Sequence, residues 1–175
     1  MADNFYPIGS VLPYAGPINQ SSEGVLIAQG FIPCDGRPLS NTSPQYAALL
    51  QAIGGAYGQD ATHFYVPDYR GIFHRGVDAG AGRDPNSSSR TVPRPDLPSG
   101  GQGNSGNNVG SLQAFQIASH THQYSRHKDT HKCNLGSLIG PGVFTGGTVS
   151  KTSGETGNTE TRPVNLYTNY VIRYQ

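Results

Sequence analysis

Two histidines separated by a single residue, in Ser119-His120-Thr121-His122, offer the most direct chemistry in the chain. On a β-strand, residues i and i+2 point to the same face, roughly 7 Å apart. Both imidazoles then address one partner. Two nitrogens do not complete a metal's shell, which takes about four ligands when tetrahedral and about six when octahedral. The missing ligands must come from elsewhere, and three copies of the strand around a threefold axis would supply six. The same spacing also fits two polar side chains on a solvated loop, because H-x-H is a weak signal by itself. A metal enclosed by six imidazoles has no open position for a substrate water, so its role would be structural. Six nitrogen donors favour an octahedral site, and imidazole suits iron, nickel, cobalt, copper or zinc, with iron the first expectation. Zinc is the alternative, although structural zinc is almost always four-coordinate.

The other reactive residue types do not assemble into a catalytic pattern. No Gly-x-Ser-x-Gly elbow is present. The three glutamates, Glu23, Glu155 and Glu160, show no spacing that pairs an acid with a base. The chain is expected not to be an enzyme. Its two cysteines, Cys34 and Cys133, form no C-x-x-C pair, so a thiolate zinc site is not expected. Cys34 reads as a small buried apolar residue rather than half of a disulfide.

Composition narrows the classes further. Of 175 residues, 13% are charged and the formal net charge is +1, with no basic run of the kind nucleic-acid binding uses. No apolar stretch approaches the ~18 residues of a membrane span. Residues 1–10 lack the basic and apolar regions of a signal peptide. The expectation is a chain made in the cytoplasm that neither binds nucleic acid nor inserts in membranes. Hydrophobic residues make up 34% of the chain and there are 24 glycines, so a monomer would bury a thin core. Building part of the core between subunits is one way out.

The elements that must position these residues are mostly short and extended. Val11 and Leu12 mark a strand between Pro and Gly breakers. Residues 16–24 read as a loop, and 24–32 as an apolar run leading into the Asp35-Gly36 turn. One helix is expected at about 44–53. Ser43 is its N-cap, Pro44 its first residue, Tyr46, Leu49, Leu50 and Ile53 its apolar face, and Gly54-Gly55 its stop. Residues 77–111 hold almost no large apolar side chains and suggest a disordered loop or a segment laid along another chain. There Arg75, Asp78, Arg83, Asp84 and Arg90 are candidates for ion pairs between chains. Leu166, Tyr170, Ile172 and Tyr174 recur at period two in a closing strand. The fold class is mostly β with one short helix.

Several blocks, in order, resemble the phage tail-collar domain. They are Gly9-x-Val11 with Tyr14-Ala15-Gly16, then Gly30-Phe31-Ile32-Pro33-Cys34-Asp35-Gly36, then Tyr57-Gly58, then Val66-Pro67-Asp68-Tyr69-Arg70-Gly71. The later blocks resemble collar-bearing short tail-fibre receptor-binding proteins: Arg75-Gly76-Val77-Asp78, Gly82-Arg83-Asp84-Pro85, Gly110-Ser111 with Gln113, the H-x-H pair, and Glu160-Thr161-Arg162-Pro163 with Asn165. The resemblance implies a collar domain at 1–76 and an extended, intertwined trimeric tip at 77–175. It implies a metal on the trimer axis held by His120 and His122, and contact with cell-surface saccharides. It places the chain outside the cell or on a virion or tail-like particle. Two departures, a single H-x-H and no long shaft before residue 7, point to a free-standing tail-derived lectin, with a tip or adaptor of a tail-like particle as the alternative.

A sugar-binding surface needs donors, acceptors and a ring face to pack on a pyranose. Tyr124, Arg126, His127 and Asp129, beside the H-x-H pair, form the leading carbohydrate-binding candidate. Tyr69, Arg70 and His74 in the collar half form a second. The Cys34-Asp35-Gly36 and Pro67-Asp68 blocks read as turn chemistry, with Asp capping and Gly supplying positive φ.

Overall fold

The computed structural model describes residues 6–114 and 165–175. These form one compact unit, in which the last ten residues fold with the first part of the chain. Its elements are β1 (Val11–Tyr14), α1 (Gln20–Ala28), β2 (Phe31–Pro33), β3 (Pro38–Ser40), a 3-10 turn (Pro44–Tyr46) running into α2 (Ala47–Ile53), β4 (His63–Tyr65), a 3-10 turn (Ser87–Ser89) and β5 (Asn169–Arg173). The expectation of a mostly β fold built from small sheets holds.

The closing strand is the centre of the main sheet, whose order is β1-β5-β2. Strand β5 runs antiparallel to both neighbours, pairing Leu12 with Val171 on one side and Ile32 with Ile172 on the other. The period-two pattern holds for Ile172 and Tyr174, both fully buried, and for the half-buried Tyr170. It fails at Leu166, which is 93% exposed. Val171 and Arg173, on the opposite face, are buried as well. The buried Arg173 guanidinium donates to the main-chain oxygens of Tyr6 and Gln175. The central strand of this unit thus lies far downstream of residue 76, in the last ten residues.

The core joins Ile32, Cys34, Leu39, Leu49, Phe64, Val66, Ile172 and Tyr174. Helix α2 contributes the face expected of it: Leu49 is wholly buried, and Tyr46, Leu50 and Ile53 pack against the same cluster. Its first turn is 3-10 rather than α. Gly54, at φ +54, ends it. Strands β3 and β4 pair beside it, placing Leu39 opposite Phe64.

Helix α1 corrects the reading of 16–32 as loop and apolar run. Asn19 caps it by accepting from Ser21 and Ser22 N–H, and Ser22 Oγ accepts from Asn19 N–H in return. Gly24 and two serines lower its intrinsic preference, and only Leu26 is buried, so no helical period shows. Gly30 follows at φ +83; a Cβ there would lie 2.8 Å from Gln175 O, so glycine is what lets the chain end pass this turn.

Among the described residues, the Gly-rich stretch 77–114 is not a loose loop. It straps the collar of its own chain. Gln59 N–H donates to Gly101 O at 2.8 Å, and Asn104 N–H to Ala56 O at 3.0 Å. The approach is too close for side chains: a Cβ at Gly101 would lie 2.2 Å from Gln59 O. Glycine, not apolar content, makes this packing possible. Three of the residues expected to pair between chains, Arg75, Asp84 and Arg90, pair within this one. Buried Asp84 meets Arg90 at 3.5 Å and Arg75 at 3.7 Å. Asp78 accepts from the N–H groups of Gly82, Arg83 and Asp84. Arg90 also donates to Ser111 and Gln113, closing the strap at its base beside the paired Thr91 and Leu112.

Candidate functional site

The H-x-H pair, His120 and His122, and the leading sugar-binding set, Tyr124, Arg126, His127 and Asp129, lie outside the described residues. Among the described residues, no three His, Cys, Asp or Glu side chains are grouped to hold a metal ion. The candidate site that the structure builds is the collar set.

Two similar turns frame it. Asp35-Gly36-Arg37 and Asp68-Tyr69-Arg70 lie side by side, joined by a bridge between Asp35 and Asp68. In each, the carboxylate accepts from the main-chain N–H and the guanidinium of the arginine two residues on. Arg37 also pairs with Glu23 of α1. The Arg70 hydrogen bond holds the Asp68 carboxyl below its usual range. Gly36, at φ +75, faces Asp68, whose Cβ would lie 3.0 Å from any side chain placed there. These aspartates are occupied in fixing the turns, as turn chemistry predicts. Arg94 of the strap adds a third such pair, meeting Asp96 at 2.7 Å. It also sits 4.2 Å over the Tyr65 ring and donates to Gly36 O.

The turns position a cluster of rings. Tyr69 meets His74 with ring centroids 4.0 Å apart, and Tyr170 of β5 meets His74 at 4.4 Å and Tyr69 at 5.8 Å, the last edge to face. The Tyr57 and Tyr69 hydroxyls are hydrogen-bonded at 2.9 Å. Edge-to-face and offset pairs of this kind add about 0.5–1.5 kcal/mol each beyond burial. Burial lowers the His74 pKa from its ordinary value, so the ring is neutral at neutral pH. Burial also raises both tyrosines, which stay protonated. Behind them the Cys34 thiol is pushed up to about 12 by burial and by Asp35 and Asp68; among the described residues it forms no disulfide, and it is buried in the core as an apolar filler would be.

The cluster thus presents uncharged rings and hydroxyls, with Arg70 and the exposed Ile72 and Phe73 alongside in the chain. Such a surface can pack on an apolar ligand face and exchange hydrogen bonds with hydroxyls. Of the second candidate set, Tyr69 and His74 are brought together, while Arg70 is turned onto Asp68. Sequence reasoning missed Tyr57 and Tyr170 as members. Tyr170 was legible as a strand residue, but nothing in its spacing links it to His74.

Residues 9–74 match the family Phage Tail Collar Domain. The chain is also similar to Protein RhiB of Rhizobium leguminosarum bv. viciae, at 31% identity across 97% of this chain and 87% of RhiB. The chain belongs to the phage tail collar family, and its class is that of phage tail fibre-like proteins, whose setting is a virion or the extracellular space. No helix among the described residues is long and apolar enough to cross a membrane.

Proposed function

We propose that the protein is a trimeric, carbohydrate-binding tail-fibre-like protein that recognises cell-surface glycans through repeated weak contacts, without catalysis. The collar match at residues 9–74 supports this reading. Tyr124, Arg126, His127 and Asp129 supply the polar and ring groups of the main saccharide site. The neutral Tyr69–His74–Tyr170 cluster is a second surface of suitable chemistry. Three copies raise avidity without new contacts. His120 and His122 from three chains would hold one structural ion, iron first and zinc second, linking the copies where composition gives them little apolar surface.

The exposed Ile72, Phe73, Leu166 and Tyr167 favour a second reading, in which the protein is a tip or adaptor that binds other proteins of a tail-like particle. A glycan array with the purified protein separates the two. Binding to defined saccharides, lost in Tyr124→Ala with His127→Ala, supports the first. Silence on the array, with tail proteins co-purifying, supports the second. Elemental analysis tests the metal: about one ion per three chains, absent from His120→Ala with His122→Ala, is expected. Equal content in both proteins removes the axial ion.

A further inference from the structure

The strap does more than cover the collar, because it walls a cleft lined by none of the ring-cluster residues. The end of α2 and the turn after it form one wall, and residues 100–104 form the other. Two main-chain hydrogen bonds fix the walls to each other, Gln59 N–H to Gly101 O and Asn104 N–H to Ala56 O. The cleft holds about 290 Å³ and is open to solvent. That volume lies at the lower end of ligand-sized pockets, about 300–1,000 Å³, and suits one small ring rather than a chain of them.

The lining is mostly polar, and none of its residues is charged. Gly55, Gly100 and Gly103 contribute to it, and among the described residues their main-chain N–H groups have no hydrogen-bond partner. The Asn104 amide donates to Val109 O at 2.9 Å, which fixes its plane and leaves its oxygen to accept. The Gln59 amide lies over Gly55, with its oxygen 2.9 Å from where a Cβ would be. Ile53 is the one large apolar side chain in the lining. Donors and acceptors thus stand together. A sugar hydroxyl both donates and accepts, so a hydroxyl-bearing ring matches this mixed set. A carboxylate or phosphate would instead meet amide and main-chain oxygens with no cation in the lining to balance it. The walls hold these groups in place before any ligand arrives, so binding orders little.

We propose that the cleft between α2 and the strap binds one neutral monosaccharide unit, the end residue of a glycan chain, whose linkage leaves through the open side. The inference rests on the glycan-binding reading above and adds a site within the collar unit, separate from residues 124–129.

The test is an amide NMR titration of the isotope-labelled full-length protein. The probes are methyl glycosides of neutral hexoses and N-acetylhexosamines, which mimic a chain end, the corresponding free sugars, and a methyl glucuronide as the charged counterpart. Saturable shifts of the Gly55, Gly100 and Gly103 amides and of the Gln59 and Asn104 side-chain amides are expected with at least one neutral methyl glycoside, and none with the glucuronide. Gln59→Ala should weaken that binding about 3–10-fold, the loss of one or two hydrogen bonds. Gly55→Ala should do the same, since its Cβ displaces the Gln59 amide and its backbone lies outside the left-handed region. Should Gly55→Ala disturb the strap, seen as shifts in the Thr91 and Leu112 amides, Gln59→Ala alone decides. Shifts with free sugars only, or a preference for the glucuronide, overturn the assignment, as does unchanged affinity in Gln59→Ala. Cleft amides that stay still while the protein binds saccharides on the glycan array overturn the cleft and leave the glycan reading standing. Still amides with a silent array overturn both.

Discussion

Removing the Arg90 guanidinium should loosen the strap without unfolding the collar beneath it. Arg90 is 17% exposed and faces the Asp84 carboxylate, itself 6% exposed, at 3.5 Å. It also donates to Ser111 Oγ at 3.0 Å, Ser111 O at 3.1 Å and Gln113 Oε1 at 3.1 Å. In Arg90→Ala, Asp84 keeps the Asn86 N–H at 3.1 Å and, as its one arginine, Arg75 at 3.7 Å, which is 48% exposed. Deleting one partner of a fully buried pair costs about 3–5 kcal/mol. Here one arginine remains and the freed acceptors at 111 and 113 can reach water, so the expected loss is about 2–3 kcal/mol. Arg75→Ala, which deletes the exposed partner, should cost no more than about 1 kcal/mol. In urea the larger loss lowers the midpoint by about 1 M. Hydrogen exchange locates it: the Thr91 and Leu112 amides, bonded to each other's carbonyls at 2.7 and 2.8 Å, should lose protection, while those of β5 keep theirs. An Arg90→Ala unfolding free energy within about 0.5 kcal/mol of the parent, with those amides still protected, would refute the clasp.

The same geometry sets four other outcomes. Gly101→Ala should destabilise by about 1–3 kcal/mol in thermal unfolding, because its Cβ meets Gln59 O at 2.2 Å. Gly24→Ala, in α1 with open space around it, should stabilise by about 0.5–1 kcal/mol; the opposite sign would mean that α1 does not form. Leu49→Ala should cost about 2–5 kcal/mol, read from denaturant midpoints, since its side chain is wholly buried in the core. The Asp60, Asp68, Asp78 and Asp96 carboxyls sit below their ordinary pKa, held by Thr62 N–H, Arg70, Gly82 N–H and Arg94 respectively. Lowered values mean stabilisation that is complete above the unfolded pKa of about 4 and lost as pH falls further. Melting temperature should therefore drop below about pH 4, and Asp60→Asn should shallow that drop. Loss of an imidazole-bound ion would come earlier, near pH 5–6, and elemental analysis would separate the two steps.

Much of the collar was legible because its signals are local. Pro44 after Ser43, the face through Leu49, and the Asp-Gly turn each act within a few residues. Helix α1 was not, because its capping box uses Ser22 where Glu or Gln is the usual mark, and because Val25 and Ile27 face water beside the single buried Leu26. The strap was misread for a different reason. Apolar content measures what side chains can bury, but residues 77–114 pack through backbone brought close by glycine, and through carboxylates that accept N–H groups of their own chain. Low apolar content there describes the kind of packing, not its absence.

The ring cluster was harder still. Tyr69 and His74 lie five residues apart and could be proposed together, whereas Tyr170 reaches His74 only because β5 enters between β1 and β2 in a fixed register. A register slip of one residue would turn Tyr170 to the other face and bring Asn169 or Val171 in its place. The family match stops at residue 74, yet the sheet that holds the cluster has no centre without residues 169–173. The collar's surface chemistry is therefore set jointly by the matched segment and by a strand outside it. Variants in β5 should alter the ring surface as directly as variants in the collar motif itself.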